Sequence, residues 1–105
     1  FFFGSDSAPH TDPRKLGPCG AAGCFTAPVA LAVLAHVFEE AGALDRLDAF
    51  VSEHGADWYG LPRNAGTLTL ERTEPYRLPP VHTADGTIAV FDPGHPLAFR
   101  VAGEA

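Results

Sequence analysis

Three phenylalanines open the chain, and they give way at once to Gly4-Ser5-Asp6-Ser7-Ala8-Pro9-His10. Residues 1–5 show no alternation of apolar and polar side chains, so the segment predicts a strand buried on both faces. Such a strand can exist only between other layers of chain. In barrels and open α/β sheets, chemistry collects at the C-terminal ends of the strands. Asp6 and His10 fall at that end. Asp6 reads either as a turn aspartate closing on its own backbone or as a carboxylate that binds a metal and carries a proton. His10 reads either as a solvated loop side chain or as a residue whose two ring nitrogens orient an anionic substrate, with Pro9 restricting the backbone before it.

The apolar residues crowd into the first half. Residues 29–38 are almost wholly apolar, which suits a helix covered on several sides. A chain of 105 residues buries a limited share of its surface. So apolar a helix beside a triple-Phe strand points to packing surface supplied by chain outside this sequence. Methionine is absent, including at position 1, which fits a piece of a longer protein.

Charge excludes several partners. The formal net charge is −6, and among the seven Lys and Arg only Arg14 and Lys15 are adjacent. No basic stripe is present to neutralise phosphates, so nucleic acid is not an expected partner. No apolar stretch reaches the roughly 20 residues that span a bilayer, and the N-terminus lacks the charged head of a signal peptide. Two cysteines are too few for a disulfide scaffold. A cytoplasmic protein is the expectation.

Asp6 and residues up to 25 form a long loop carrying Pro9, Pro13 and Pro18, and a loop of that length is usually functional. Cys19-Gly20-Ala21-Ala22-Gly23-Cys24 lies inside it. A zinc site needs two further ligands beyond these thiols. The small residues between them let backbone N–H groups approach a ligand closely, so an anion can be held there without a basic side chain. Thr26 is the predicted N-cap of the apolar helix, Pro28 its first turn, and Gly42 its left-handed terminus. A second helix is predicted over residues 44–54, stopping at Gly55, with Leu44, Leu47, Phe50 and Val51 on one face. His36 reads as a packed or helix-edge residue and His54 as a histidine at a helix C-terminus. His82 and His95 lie in loops and join no constellation, and Trp58 and Tyr59 read as packing aromatics. Residues 67–71 alternate as a strand does. Residues 72–80 read as proline-rich connection, Asp85-Gly86 as a turn, and residues 87–91 and 97–101 as short strands.

The segments Gly4-Ser5-Asp6-Ser7-Ala8-Pro9-His10, Arg14-Lys15 and Cys19-Gly20-Ala21-Ala22-Gly23-Cys24-Phe25-Thr26-Ala27-Pro28 together resemble the C-terminal region of dihydroorotases. The single-domain bacterial and fungal type is the nearer match; the other type typically has a histidine where Ser7 stands. Phe38-Glu39-Glu40 and Trp58-Tyr59-Gly60-Leu61-Pro62-Arg63-Asn64 continue the likeness, which is strong through residue 64 and looser beyond.

The resemblance implies an α/β fold, the C-terminal portion of a (β/α)8 barrel. Residues 1–64 would supply the last barrel strand, the active-site loop and helices. Residues 65–105 would supply a C-terminal β extension of the same domain. It implies reversible interconversion of L-dihydroorotate and N-carbamoyl-L-aspartate in pyrimidine biosynthesis, with two Zn2+ ions and a bridging hydroxide as nucleophile. Asp6 matches the aspartate that binds one zinc and acts as general base and acid. His10 and the backbone at Ala22 match positions that hold the substrate carboxylate. The family's other zinc ligands and further substrate-binding residues lie earlier in the barrel, so this chain alone is expected to be inactive and to bind zinc weakly. A homodimer is expected of the full-length protein. Three other readings compete: a hydantoinase- or allantoinase-like cyclic amidohydrolase, a non-catalytic dihydroorotase-like subunit, and a small zinc module built on Cys19, Cys24 and two histidines.

Overall fold

The computed structural model describes residues 1–18 and 20–104. It is a mixture of helix and strand. The elements are α1 (Asp12–Lys15), α2 (Ala30–Glu40), a 3-10 turn (Leu44–Arg46), a π-helical turn (Ala49–Glu53), α3 (His54–Tyr59), and strands β1 (Leu68–Tyr76), β2 (Val81–Thr83), β3 (Gly86–Ile88) and β4 (Leu97–Glu104).

The core lies where α2 meets β4. Ala32 and Ala35, one turn apart, face β4 and are buried, and Leu97 and Phe99 project from β4 against them with a spacing of two. Two alanines at the crossing let helix and strand backbones approach closely. Val29 and Leu47 complete the buried set, and Val33, Leu34, Phe38 and Val51 pack around it.

Strand β1 runs antiparallel to β4, with Leu70 opposite Val101, Glu71 opposite Arg100 and Arg72 opposite Phe99. Arg100 donates to Glu71 across the pair. Arg72 lies 4.8 Å from the centre of the Phe99 ring and pairs with Glu39 of α2, so one side chain ties the sheet to the helix. That guanidinium holds the exposed Glu39 carboxyl below its ordinary range, chiefly by hydrogen bonding. The register slips between Arg72 and Tyr76, where Pro75 has no N–H to give the ladder. Tyr76 closes the far end by donating its hydroxyl to the Phe99 carbonyl at 2.7 Å.

Several sequence expectations change. Residues 1–5 are not a strand. Phe3 N–H donates to the Phe50 carbonyl at 3.0 Å, and the Phe2 and Phe3 rings pack on Tyr59 and Phe50. A continuous apolar run reports burial, not which partner supplies it. The apolar helix starts at Ala30, because Thr26 and Pro28 lie in a turn closed by Val29 N–H on the Thr26 carbonyl. Gly42 does end it, with φ 68°. The second helical run continues past Gly55 and stops at Gly60, φ 67°. Gly55 is a point of contact: a Cβ there would lie 3.3 Å from the Phe2 ring. His54 therefore sits within a helical run, not at its end. Trp58 and Tyr59 are exposed. Strand β1 extends through Pro75, and Asp85-Gly86 turns a β2–β3 hairpin with Val81 opposite Ile88. His95 stacks on His36 with ring centres 4.0 Å apart, and His36 also meets Glu40 at 3.2 Å.

Candidate active-site loop

Asp6 stands at a bend. Its φ of 45° is in the left-handed region, and it is the one non-glycine residue there among the described residues. Aspartate tolerates this backbone better than most residues but still at some cost, and strain of this kind concentrates at functional positions. The side chain is exposed and has no hydrogen-bond partner among the described residues.

The next two residues are tied down. Ser7 Oγ accepts hydrogen bonds from the Thr26 and Ala27 amides at 3.2 and 3.1 Å, immediately before α2. Ala8 N–H donates to the Cys24 carbonyl at 2.9 Å. The two arms of the loop meet there so tightly that a Cβ on Gly23 would stand 2.5 Å from the Ala8 Cβ. Gly23 has φ 102°, a conformation open to glycine. Further out, Ala21 N–H donates to the Arg14 carbonyl at 3.2 Å, so α1 folds back on the glycine-rich arm.

This arrangement brings the stretches bearing Asp6, His10 and Ala22 to one contact. His10 follows Ala8 by two residues, and Ala22 precedes Cys24 by two. Ala22 is exposed and His10 half-buried, and the His10 ring has no hydrogen-bond partner among the described residues. Cys24 is an exposed free thiol. Cys19, its partner in the zinc-module reading, lies outside the described residues. Among those described, no three His, Cys, Asp or Glu side chains converge in a way that could hold a metal.

Ser7 is the residue that reading the sequence missed. Its bonds reach 19 and 20 residues ahead, and local patterning carries no signal at that range. Ser7→Ala leaves two amides without their acceptor. It should lower the stability of the full-length protein by about 0.5–2 kcal/mol, the range for losing a helix-capping oxygen. Denaturant titration checks this, and an unchanged midpoint would show those amides to be satisfied without Ser7.

The other charged clusters lie elsewhere. Arg63 binds Asp57 through two hydrogen bonds of 3.0 and 2.7 Å and holds its carboxyl below the usual range. A pocket of about 210 Å³ is lined by Val29, Leu97, Arg77, Asp92 and His95 among others, but its arginine and aspartate pair with each other at 2.8 Å. The pocket borders the loop only where its lining residues Val90 and Phe91 meet Phe25.

No family model matches the chain. Curated relatives do. It is 56% identical over 102 residues to a dihydroorotase of Ruegeria pomeroyi, a match covering 96% of this chain and 30% of the relative. Identity is 53% over 102 residues to a dihydroorotase of Cereibacter sphaeroides and 53% over 103 residues to one of Rhizobium meliloti, each again covering 96% of this chain and 30% of the relative. A chain more than half identical to these relatives along nearly all of its length belongs to the dihydroorotase family, and it spans about 30% of the length of the curated relatives it matches.

Proposed function

We propose that this chain is the C-terminal part of a dihydroorotase, a zinc-dependent hydrolase that interconverts L-dihydroorotate and N-carbamoyl-L-aspartate in pyrimidine synthesis. The observation that carries the reading is identity above one half to dihydroorotases across nearly the whole chain. The pinned loop around Asp6 supports it.

Asp6 fits one ligand position of a shared metal site: a carboxylate on a strained bend, free of other partners among the described residues. The described residues do not make a closed site, so the remaining ligands would come from elsewhere in the protein. Zinc, when bound, supplies a water acidified enough to act as nucleophile at neutral pH. Asp6 then accepts a proton as the ring carbonyl is attacked and returns it to the leaving amide nitrogen. His10 donates to the substrate carboxylate, and the backbone N–H at Ala22 does the same.

The same proposal takes residues 1–64 as the part of a barrel domain that carries the loop and helices, and residues 65–105 as an extension of one domain. The packing of β4 on α2 supports that unity. Exposed Phe1, Trp58, Tyr59 and Leu61 fit a surface covered by the rest of a (β/α)8 barrel. No described helix is long and apolar enough to cross a membrane. A cytoplasmic homodimer acting on small molecules, with two Zn2+ per site, completes the reading.

The full-length protein should hydrolyse dihydroorotate, lose that activity to a chelator and regain it with zinc, while the 105-residue chain alone shows none. Steady-state assays in both directions check this. Preference for a cyclic amide lacking the carboxylate, or turnover by the isolated chain, would overturn the reading.

A further inference from the structure

We propose that residues 81–91, the β2–β3 hairpin and the segment leaving it, act as a brace that sets the spacing between His10 and Ala22 and so positions them on the substrate carboxylate. The inference rests on the reading of this loop as the carboxylate-binding element. No residue of the brace belongs to that element.

The brace grips the loop at two points. At one, Gly86 sits on the start of α1: a Cβ there would lie 3.5 Å from both the Thr11 Cβ and the Pro13 Cδ, which is van der Waals distance. Thr11 directly follows His10. At the other, Phe91 N–H donates to the Phe25 carbonyl at 2.9 Å, and Val90 bridges Phe25 in parallel. Phe25 ends the arm that carries Ala22. One short stretch of chain therefore holds both arms, five residues apart along its own length.

The hairpin is stiff enough for this. Its tip is closed by Thr83 Oγ1, which donates to the Gly86 carbonyl at 2.7 Å and accepts from Asp85 N–H at 3.3 Å. Gly86 has φ 140°, so the backbone of the hairpin tip depends on glycine. Inside the loop, the bonds Ala8 to Cys24 and Ala21 to Arg14 couple the two arms. A shift of the hairpin thus moves His10 relative to Ala22, while Asp6 stays anchored through Ser7.

Positioning of this kind predicts a split between the kinetic constants. Misplaced carboxylate donors weaken ground state and transition state alike, which raises KM and spares kcat. Three variants of the full-length protein test it. In the first, residues 81–88 are replaced by two glycines, which can close the gap because Val81 and Ile88 are direct partners. Pro13→Ala trims the contact from the α1 side, Gly86→Ala strains the hairpin tip that makes it, and both keep the test alive where the excision does not fold.

KM for dihydroorotate and for N-carbamoyl-aspartate should rise about tenfold in the excision variant and less in the point variants, with kcat nearly unchanged; misplacement by about 1 Å can cost as much as 100-fold. Thermal melting is followed alongside. Folded variants with unchanged KM, or a kcat that falls with melting temperature at constant KM, would overturn the brace. Absence of turnover in the unaltered full-length protein would instead overturn the dihydroorotase reading and the brace with it.

Discussion

Asp6→Asn in the full-length protein should lower kcat by on the order of 10²–10⁴-fold, the usual contribution of a positioned proton carrier, while leaving thermal stability nearly unchanged. The two halves of this expectation have separate causes. Stability is spared because the carboxylate is exposed and makes no hydrogen bond to the described residues. Asparagine also accepts a left-handed backbone at least as readily as aspartate, so the φ of 45° is kept. Alanine would add backbone strain to the chemical loss and confuse the two. The rate falls because an amide can neither take the proton nor give it back. Zinc content, measured by elemental analysis on the same preparation, separates the roles of Asp6. A metal-replete, inactive variant isolates proton transfer, and a metal-poor one shows the ligand role as well. A loss of less than about tenfold would be below what general acid–base catalysis contributes and would return Asp6 to being a turn residue.

The parts of this molecule that sequence made legible are those whose cause is local. Gly42 was readable as a helix terminus because an apolar helical stripe ends just before it, and its φ of 68° follows from glycine's freedom. Asp85-Gly86 was readable as a turn by composition. Gly55 was misread for the opposite reason. It looks like a helix stop, but the Phe2 ring needs the space where its side chain would be, and that contact spans more than 50 residues. Phe1 to Phe3 failed in the same way: the apolar run correctly demanded cover, and helical residues Phe50 and Tyr59 supply part of it. At the site, residue type and resemblance pointed to Asp6, His10 and Ala22. What sequence did not reveal is how the loop is held. Ser7 on the Thr26 and Ala27 amides and Gly86 on Pro13 join positions far apart in the chain, and neither contact leaves a periodic trace.

Gly23→Ala should disrupt the loop far more than Gly20→Ala, although both positions have positive φ. Gly20 has φ 53°, inside the left-handed well, and a Cβ there meets nothing within 4 Å. Alanine at 20 therefore pays only the ordinary left-handed penalty, roughly 1–2 kcal/mol. Gly23 has φ 102°, outside that well, and its Cβ would lie 2.5 Å from the Ala8 Cβ. Backbone strain of about 1–3 kcal/mol is joined by overpacking of about 1–3 kcal/mol. The cheapest relief is separation of the two arms, which breaks the Ala8 to Cys24 hydrogen bond and carries His10 away from Ala22. If about 2–6 kcal/mol is spent keeping the loop closed, kcat/KM falls by at least roughly 30-fold, since about 1.4 kcal/mol corresponds to a factor of ten. The full-length Gly20→Ala protein, with its roughly 1–2 kcal/mol, should stay within about 30-fold of wild type by the same conversion. Steady-state kinetics on the two variants side by side decides the matter. Equal losses would mean that glycine is needed at 23 for backbone freedom alone, and that the contact with Ala8 does not set the geometry of the loop.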